Sequence, residues 1–267
     1  EGTPISMMLR GNRLVVLSSY TPWSTTSDDA LYDYLRWDGD YNQWRVNSMT
    51  KYTTFDVSNR SNPVVLQELY LEGYNVDARE IDGQIRAVTY SWLNIPGLKS
   101  WLEMPSDYYE LKWDDPERKV QRELVAYETI LENYEVLDEM QLEDLVPKIY
   151  QHVNGEIMEH DVRSESCENF HKPMDGFSRG FTNILSLDLY ASTFSYESDH
   201  LLSNHPLVYA SKDVLVLTEN AWDWWWFWGQ DSIDEMTNIH TFDISVPGAT
   251  TYTGSGRIDG QILNQFS

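Results

Sequence analysis

Six large aromatic side chains crowd into seven positions of this chain: Trp222, Trp224, Trp225, Trp226, Phe227 and Trp228. Side chains alternate between the two faces of a strand, so such a run cannot lie on one side. Some rings must either pack back onto protein, covering a sheet face or plugging a channel, which is the favoured reading, or stand in solvent. Standing out, Trp222, Trp224, Trp225, Trp226 and Trp228 would form a platform for a sugar or a partner protein, because indole joins an apolar body to a polar N–H. Asp223, Asp231, Asp234 and Glu235 lie nearby in sequence. Two carboxyls about 5–10 Å apart beside such a platform are what acid–base hydrolysis of a glycan requires. A glycan-acting hydrolase is therefore the alternative to a non-catalytic binding module. The same carboxylates argue against insertion into anionic lipid.

Three other groupings have the residue types of a reactive site. Gly176-Phe177-Ser178-Arg179-Gly180 matches the nucleophile-elbow pattern G-x-S-x-G. An elbow needs a strand before the serine and a helix after it, whereas a polar loop precedes this one and a strand beginning near Phe181 follows, which favours a structural turn. His152, Glu156 and His160 would share one face if their segment were helical, but Asn154-Gly155 interrupts it, which favours surface histidines. Asp38, Asp40 and Asn42 place oxygen ligands at alternate positions, as a calcium loop does. Gln43 and Met49 stand where an EF-hand has its glycine and its bidentate glutamate. These departures favour a solvated loop, with calcium the one cofactor the sequence suggests.

The elements that must position these residues emerge from composition and pattern. With 19 Lys+Arg against 43 Asp+Glu over 267 residues, the formal charge is −24. Seven lysines and twelve arginines form no cluster, so nucleic acid is excluded as a partner. A saline habitat would account for the same acidic load without any functional meaning. The single Cys167 excludes an intrachain disulfide. No stretch approaches the 18 apolar residues of a transmembrane helix, and Glu1 to Met8 lack the features of a signal peptide. The chain does not begin with Met, as expected if a targeting segment has been removed.

Short runs with period-2 alternation, punctuated by Gly, Asn, Asp and Pro, predict strands at 14–19, 52–58, 64–71, 74–81, 84–92, 183–190, 193–196, 207–211, 214–218, 239–245, 250–255 and 261–266. Residues 21–50 read as a long polar loop and 221–231 as a Trp-rich one. Between 93 and 180 the pattern turns helical. Asp114 or Asp115 before Pro116 is a helix start, Leu124, Tyr127, Leu131 and Tyr134 recur at helical spacing, and a second helix is predicted over Leu142–Val153. The sequence thus divides into strands over 1–92, a mostly helical insertion over 93–180, and strands over 181–267.

A short motif recurs. Phe55-Asp56-Val57-Ser58, Leu187-Asp188-Leu189-Tyr190 and Phe242-Asp243-Ile244-Ser245 each place an Asp between apolar residues late in a strand, where it can accept N–H bonds from the following turn. Two copies lead through a further strand to Asp82-Gly83 and Asp259-Gly260. Removing the insertion and the loop leaves three to four units of about 40–45 residues, the arithmetic of propeller blades. The expected fold is all-β, an antiparallel β-propeller or a contiguous part of one with about four blades, carrying a helical insertion.

Phe55 to Pro63, Gly73 to Arg79, Val208 to Ser211, Ile239 to Ile244 and the ending Gly256 to Ser267 resemble the secreted bacterial and archaeal β-propeller proteins distantly related to WD40 repeats. Cys167 also stands where that family tends to have one. The resemblance covers most of the chain. It implies a propeller, here part of a larger one, in a secreted or cell-surface location. It implies no catalytic residue, since the family has no established activity. The expected function is a non-catalytic extracytoplasmic binding or scaffold module whose partner is a protein or a glycan, engaged by the propeller face or the Trp-rich loop.

Overall fold

The computed structural model describes residues 2–36, 44–81, 83–95, 97–99, 101–164, 166–173, 178–220 and 236–263. The chain divides into two compact units, Glu1–Leu93 with Pro147–Ser267, and Asn94–Val146.

The first unit opens with β1 (Thr3–Arg10), β2 (Arg13–Tyr20), β3 (Met49–Asp56) and β4 (Val64–Glu72), an antiparallel meander that forms sheet one. A second meander begins with β5 (Tyr74–Ile81) and β6 (Gln84–Trp92). After a long excursion come β7 (Lys148–Val153), β8 (Glu156–Asp161) and β9 (Phe170–His171), and then β10 (Gly180–Asp188) and β11 (Ser195–Ser203) complete sheet two. β7 and β8 form a hairpin that extends sheet one beside β4, and β9 pairs in parallel with β11. Sheet three is β12 (Leu207–Ala210), β13 (Val214–Asn220), β14 (Met236–Asp243) and β15 (Thr251–Asp259). Where the arithmetic allowed three to four units, the described residues form three sheets.

Sheet two is the middle layer. One face packs Ile85, Ala87, Leu185 and Leu187 against Val15, Leu17, Tyr52 and Leu69 of sheet one. Its other face packs Val88, Ile184 and Leu201 against Val208, Leu215, Leu217 and Phe242 of sheet three. That position explains why β6 and β10 are buried along nearly their whole length, as strands covered on both faces must be. Gly73 makes the crossing from sheet one to sheet two. It has φ +97°, and a Cβ there would meet the Tyr90 carbonyl oxygen at 2.6 Å, so only glycine fits.

The repeated Asp does what its position predicts. Asp56 Oδ1 accepts the Ser58 N–H at 2.8 Å, Asp243 Oδ1 accepts that of Ser245 at 2.8 Å, and Asp188 Oδ1 accepts those of Tyr190 and Ala191 at 3.1 and 3.0 Å. Each closes the turn between the third and fourth strand of its sheet. The register of the repeat differs from expectation. Asp259-Gly260 ends the fourth strand of sheet three and corresponds to Glu72-Gly73, and Gly260 has φ +95° against +97° at Gly73. Asp82-Gly83 instead marks the β5–β6 hairpin, with Asp82 outside the described residues.

Other expectations need correction. Among the described residues of the 93–180 region the α-helices lie within 116–145, as α2 (Pro116–Glu139) and α3 (Leu142–Leu145), with a 3-10 turn at Ser106–Tyr109 before them. The helix predicted over Leu142–Val153 stops before Pro147, and Lys148-Ile-Tyr-Gln-His-Val alternates as a strand. Asn154 and Gly155, both at positive φ, turn a hairpin rather than cap a helix. β1 was not predicted, and β11 runs to Ser203 rather than ending at Tyr196. The 21–48 connection contains a 3-10 turn at Pro22–Ser24 and the short α1 (Tyr32–Leu35), whose Leu35 packs with Tyr20, Met49 and Tyr150. Of the strand predicted at 261–266, Gln261–Leu263 are irregular and the rest lies outside the described residues.

In the second unit Asp115 caps α2 by accepting the Glu117 N–H at 3.0 Å, with Pro116 in the first turn. Its apolar positions Leu124, Tyr127, Leu131 and Tyr134 are exposed, and the residue it buries is Thr129.

Candidate binding face

The three sheets share a polarity. Tyr20 pairs with Met49, Trp92 with Gly180 and Asn220 with Thr237, so the connections 21–48, 93–179 and 221–235 all leave from the same end of their sheets. The short crossings between sheets, at Gly73 and at 204–206, lie at that end too. The opposite end carries the turns 11–12, 57–63, 82–83, 189–194, 211–213 and 244–250, none longer than seven residues. Long connections held on a rigid scaffold are where binding residues collect.

A repeated threonine finishes this end. Thr50, Thr182 and Thr237 are each the second or third residue of a third strand and are fully buried. Thr50 donates its hydroxyl to the Gly73 carbonyl at 2.9 Å and Thr237 to that of Gly260 at 2.7 Å, while Thr182 and Ser203 share a hydroxyl bond of 2.6 Å. Each ties its third strand to the end of the fourth.

Two buried carboxylates tie chain segments together at this end. Glu72, 3% exposed, accepts the Arg45 Nε–H at 2.7 Å, the Tyr150 hydroxyl at 3.2 Å and the Lys148 N–H at 3.1 Å. Arg45 belongs to the 21–48 connection and Lys148 to the returning end of the 93–179 connection, so one carboxylate holds both. Burial pushes its pKa up, and Arg45 pulls it back. Glu219, the residue before Asn220, accepts the Asn204 N–H of the second crossing and lies 3.7 Å from the Nε2 of buried His240. Asn238 links Glu219 to Arg257, whose Nε–H donates to Asn238 Oδ1 at 2.9 Å.

Four rings gather between these anchors. Tyr74 opens β5, Tyr90 and Trp92 close β6, and His205 stands in the crossing to sheet three. His205 stacks on Tyr74 at 5.4 Å, and Tyr90 meets Trp92 edge-on at 5.3 Å. Tyr90 is buried and donates to the Ser203 carbonyl at 3.3 Å, whereas Trp92 and His205 are exposed. The sequence reading missed this group, because its members come from three separate elements.

Beneath the face lies a polar chain. His200 is buried with Nδ1 2.8 Å from Asn183 Oδ1, and its ring stacks on Phe170 at 4.5 Å. Asn183 turns its amide nitrogen to Thr89 at 3.1 Å, and its oxygen faces His200. Burial pushes His200 down to about 3. A cavity of about 10 Å³ between Glu72, Thr89, Lys148, Asn183 and His200 has room for about one water. Nearer the opposite end, burial and the neighbouring Asp199 push Glu197 up to about 7. Asp199 pairs with His171 at 3.2 Å, and Arg86 donates to the carbonyls of Val246 and Ala249 at 2.6 and 2.8 Å. This group is enclosed between sheets two and three.

The residues singled out from sequence fare differently. Trp222, Trp224, Trp225, Trp226, Phe227 and Trp228 lie outside the described residues, as do Asp223, Asp231, Asp234 and Glu235. So do the calcium candidates Asp38, Asp40 and Asn42. Of the elbow motif, Gly176 and Phe177 lie outside, while Gly180 opens β10, where a Cβ would meet the Ser91 carbonyl oxygen at 2.1 Å. Close packing of strands therefore accounts for that glycine. His152 and His160 sit on the β7–β8 hairpin and not on a helix face. His152 faces Glu68 at 3.1 Å, and His160 faces Gln151 at 3.1 Å. Among the described residues no group of three or more His, Cys, Asp or Glu is placed to hold a metal ion, and no helix is long and apolar enough to cross a membrane.

Compared with known proteins, the chain matches a family model described as a beta propeller domain over residues 1–267. No curated protein matches it.

Proposed function

The chain belongs to the beta propeller domain family, and on that premise we propose that it is a non-catalytic module that binds a protein or glycan with the end of its sheets bearing the long connections. One observation carries this reading: the 21–48, 93–179 and 221–235 connections leave a common end, where Glu72 binds groups of the first two and Glu219 holds the crossing at Asn204. In this proposal Trp222, Trp224, Trp225, Trp226 and Trp228 supply the aromatic platform, and exposed Trp92 and His205 contribute further rings. The proposal includes an extracytoplasmic location, supported by the family resemblance read from the sequence. Calcium at Asp38, Asp40 and Asn42 would stiffen the first connection, and a melting temperature that rises with millimolar calcium but not magnesium is the expected sign.

The test replaces residues 221–235 by Asn-Gly, joining Asn220 to Met236 through a tight hairpin. The variant should keep the cooperative melting transition and lose retention on an immobilised oligosaccharide and peptide panel. Undiminished retention would remove the loop from the reading, and hydrolysis of any panel glycan by the unmodified chain would overturn its non-catalytic character.

A further inference from the structure

The helix α2 carries an unclaimed surface. Val120, Leu124, Tyr127, Leu131 and Tyr134 are spaced four, three, four and three apart, the seam of a helix built to lie along another helix. They are 63, 56, 61, 46 and 62% exposed. The opposite side of α2 is already occupied within its own unit. Asn133 exchanges two hydrogen bonds with the Lys99 backbone at 2.8 and 3.0 Å, Glu132 pairs with the Lys99 ammonium at 2.7 Å, and a Cβ on Gly97 would touch Val136 at 3.4 Å. The fold of that unit therefore does not need the seam.

Charge decides what fits there. Glu123, which Lys119 meets at 3.7 Å, borders the seam on one side, and Glu128 and Glu135 border it on the other. Every basic residue of α2 lies at or before Arg122, and the last turn carries Asp138 and Glu139 with no basic residue. Carboxylates at a helix C-terminus add to the negative end of the helix dipole. A second copy of α2 would set Glu128 against like charges in either orientation, and an anionic bilayer would be repelled. A basic strip on both sides of an apolar one is complementary. We propose that the exposed seam of α2 is a docking surface for an amphipathic helix of a partner protein that presents leucine-like residues flanked by Lys and Arg.

The probe is a synthetic 21-residue amphipathic peptide with Leu at the seam positions and Lys and Arg beside them. Controls are the same peptide with Glu flanks and a scrambled version, all titrated by fluorescence anisotropy against the full chain. The basic peptide should bind at least about tenfold tighter than the acidic one, with affinity falling as salt rises. Leu131→Asp, on an exposed position, should abolish binding while leaving far-UV circular dichroism and melting unchanged. Glu123→Lys with Glu128→Lys and Glu135→Lys should reverse the preference between the two peptides. Absence of binding, equal binding of the scrambled peptide, or a preference that survives charge reversal would overturn the proposal. So would a dimer in sedimentation equilibrium that Leu131→Asp dissociates, or seam-dependent flotation with phosphatidylglycerol vesicles.

Discussion

The two ends of the sheets are built from the same strands and closed by different means. At one end an aspartate at the same place in each sheet accepts N–H bonds from its own turn, a local contact within three residues. At the other, Glu72 and Glu219 reach groups far away in sequence, including Arg45 and Asn204. Local closure uses exposed polar groups at little desolvation cost. Distant closure buries charge, and a buried charge tolerates no loss of its partners. Glu72 and Glu219 thus make the long-connection end fragile, and at the short-turn end the 244–250 turn, whose Val246 and Ala249 carbonyls accept from buried Arg86, shares that dependence.

Arg45→Leu should give the largest effect, because it leaves the Glu72 carboxylate buried without its guanidinium. A loss of about 3–5 kcal/mol is expected in urea unfolding, with part recovered in the Arg45→Leu/Glu72→Gln double variant. A loss below about 1 kcal/mol would mean that the pair does not anchor this end.

Proton titration should separate the two halves of β11. Glu197, near the short-turn end, is pushed up to about 7 from the ordinary carboxyl value of 4.5. The folded state therefore binds more protons, and stability falls as pH rises between those values, by about 2–3 kcal/mol once solvent screening of a partly exposed carboxyl is allowed for. His200, nearer the long-connection end, is depressed from 6.5 to about 3, so its contribution is present above pH 6.5 and lost as pH falls towards 3. Glu197→Gln should flatten only the first limb and His200→Gln only the second, as read by thermal melts from pH 3 to 8. Loss of both limbs in either variant would show that the halves are not independent.

Smaller effects come from the repeated positions. Thr50→Val and Thr237→Val should each cost about 1 kcal/mol, by leaving a buried carbonyl short of a donor. Asp56→Ala and Asp243→Ala should lower the melting temperature least, Asp243→Ala the less of the two, since its carboxylate is exposed whereas half-buried Asp56 also pairs with Arg13 at 3.2 Å. A larger loss from the aspartates than from the threonines would invert the contrast between the ends.

The short-turn end was the more legible in sequence for the same physical reason. A contact that closes within three residues leaves its pattern in consecutive letters, as Phe-Asp-Val-Ser and Phe-Asp-Ile-Ser do. Glu72 and Glu219 are two among 43 acidic residues, and nothing local marks them as buried. The rings of Tyr74, Trp92 and His205 meet only because Gly73 and residues 204–206 bring three elements together. β7 escaped because Asn154-Gly155 serves equally well after a helix or within a hairpin. β1 escaped because its apolar residues Ile5, Met7 and Leu9 point outward and Met8 inward, which blurs the alternation. The stripe on α2 was legible as a helix, but its spacing could not tell that no part of its own unit would cover it.

The separation of β6 from β10 has a consequence for biogenesis. These strands pair along their whole length, yet about 87 residues lie between Trp92 and Gly180. At about 5–20 residues per second, β6 waits roughly 4–17 s for its neighbour to be synthesised. Throughout that interval Ile85, Val88 and Tyr90 sit on a strand with one unpaired edge, the kind of surface that chaperones capture and that seeds aggregation.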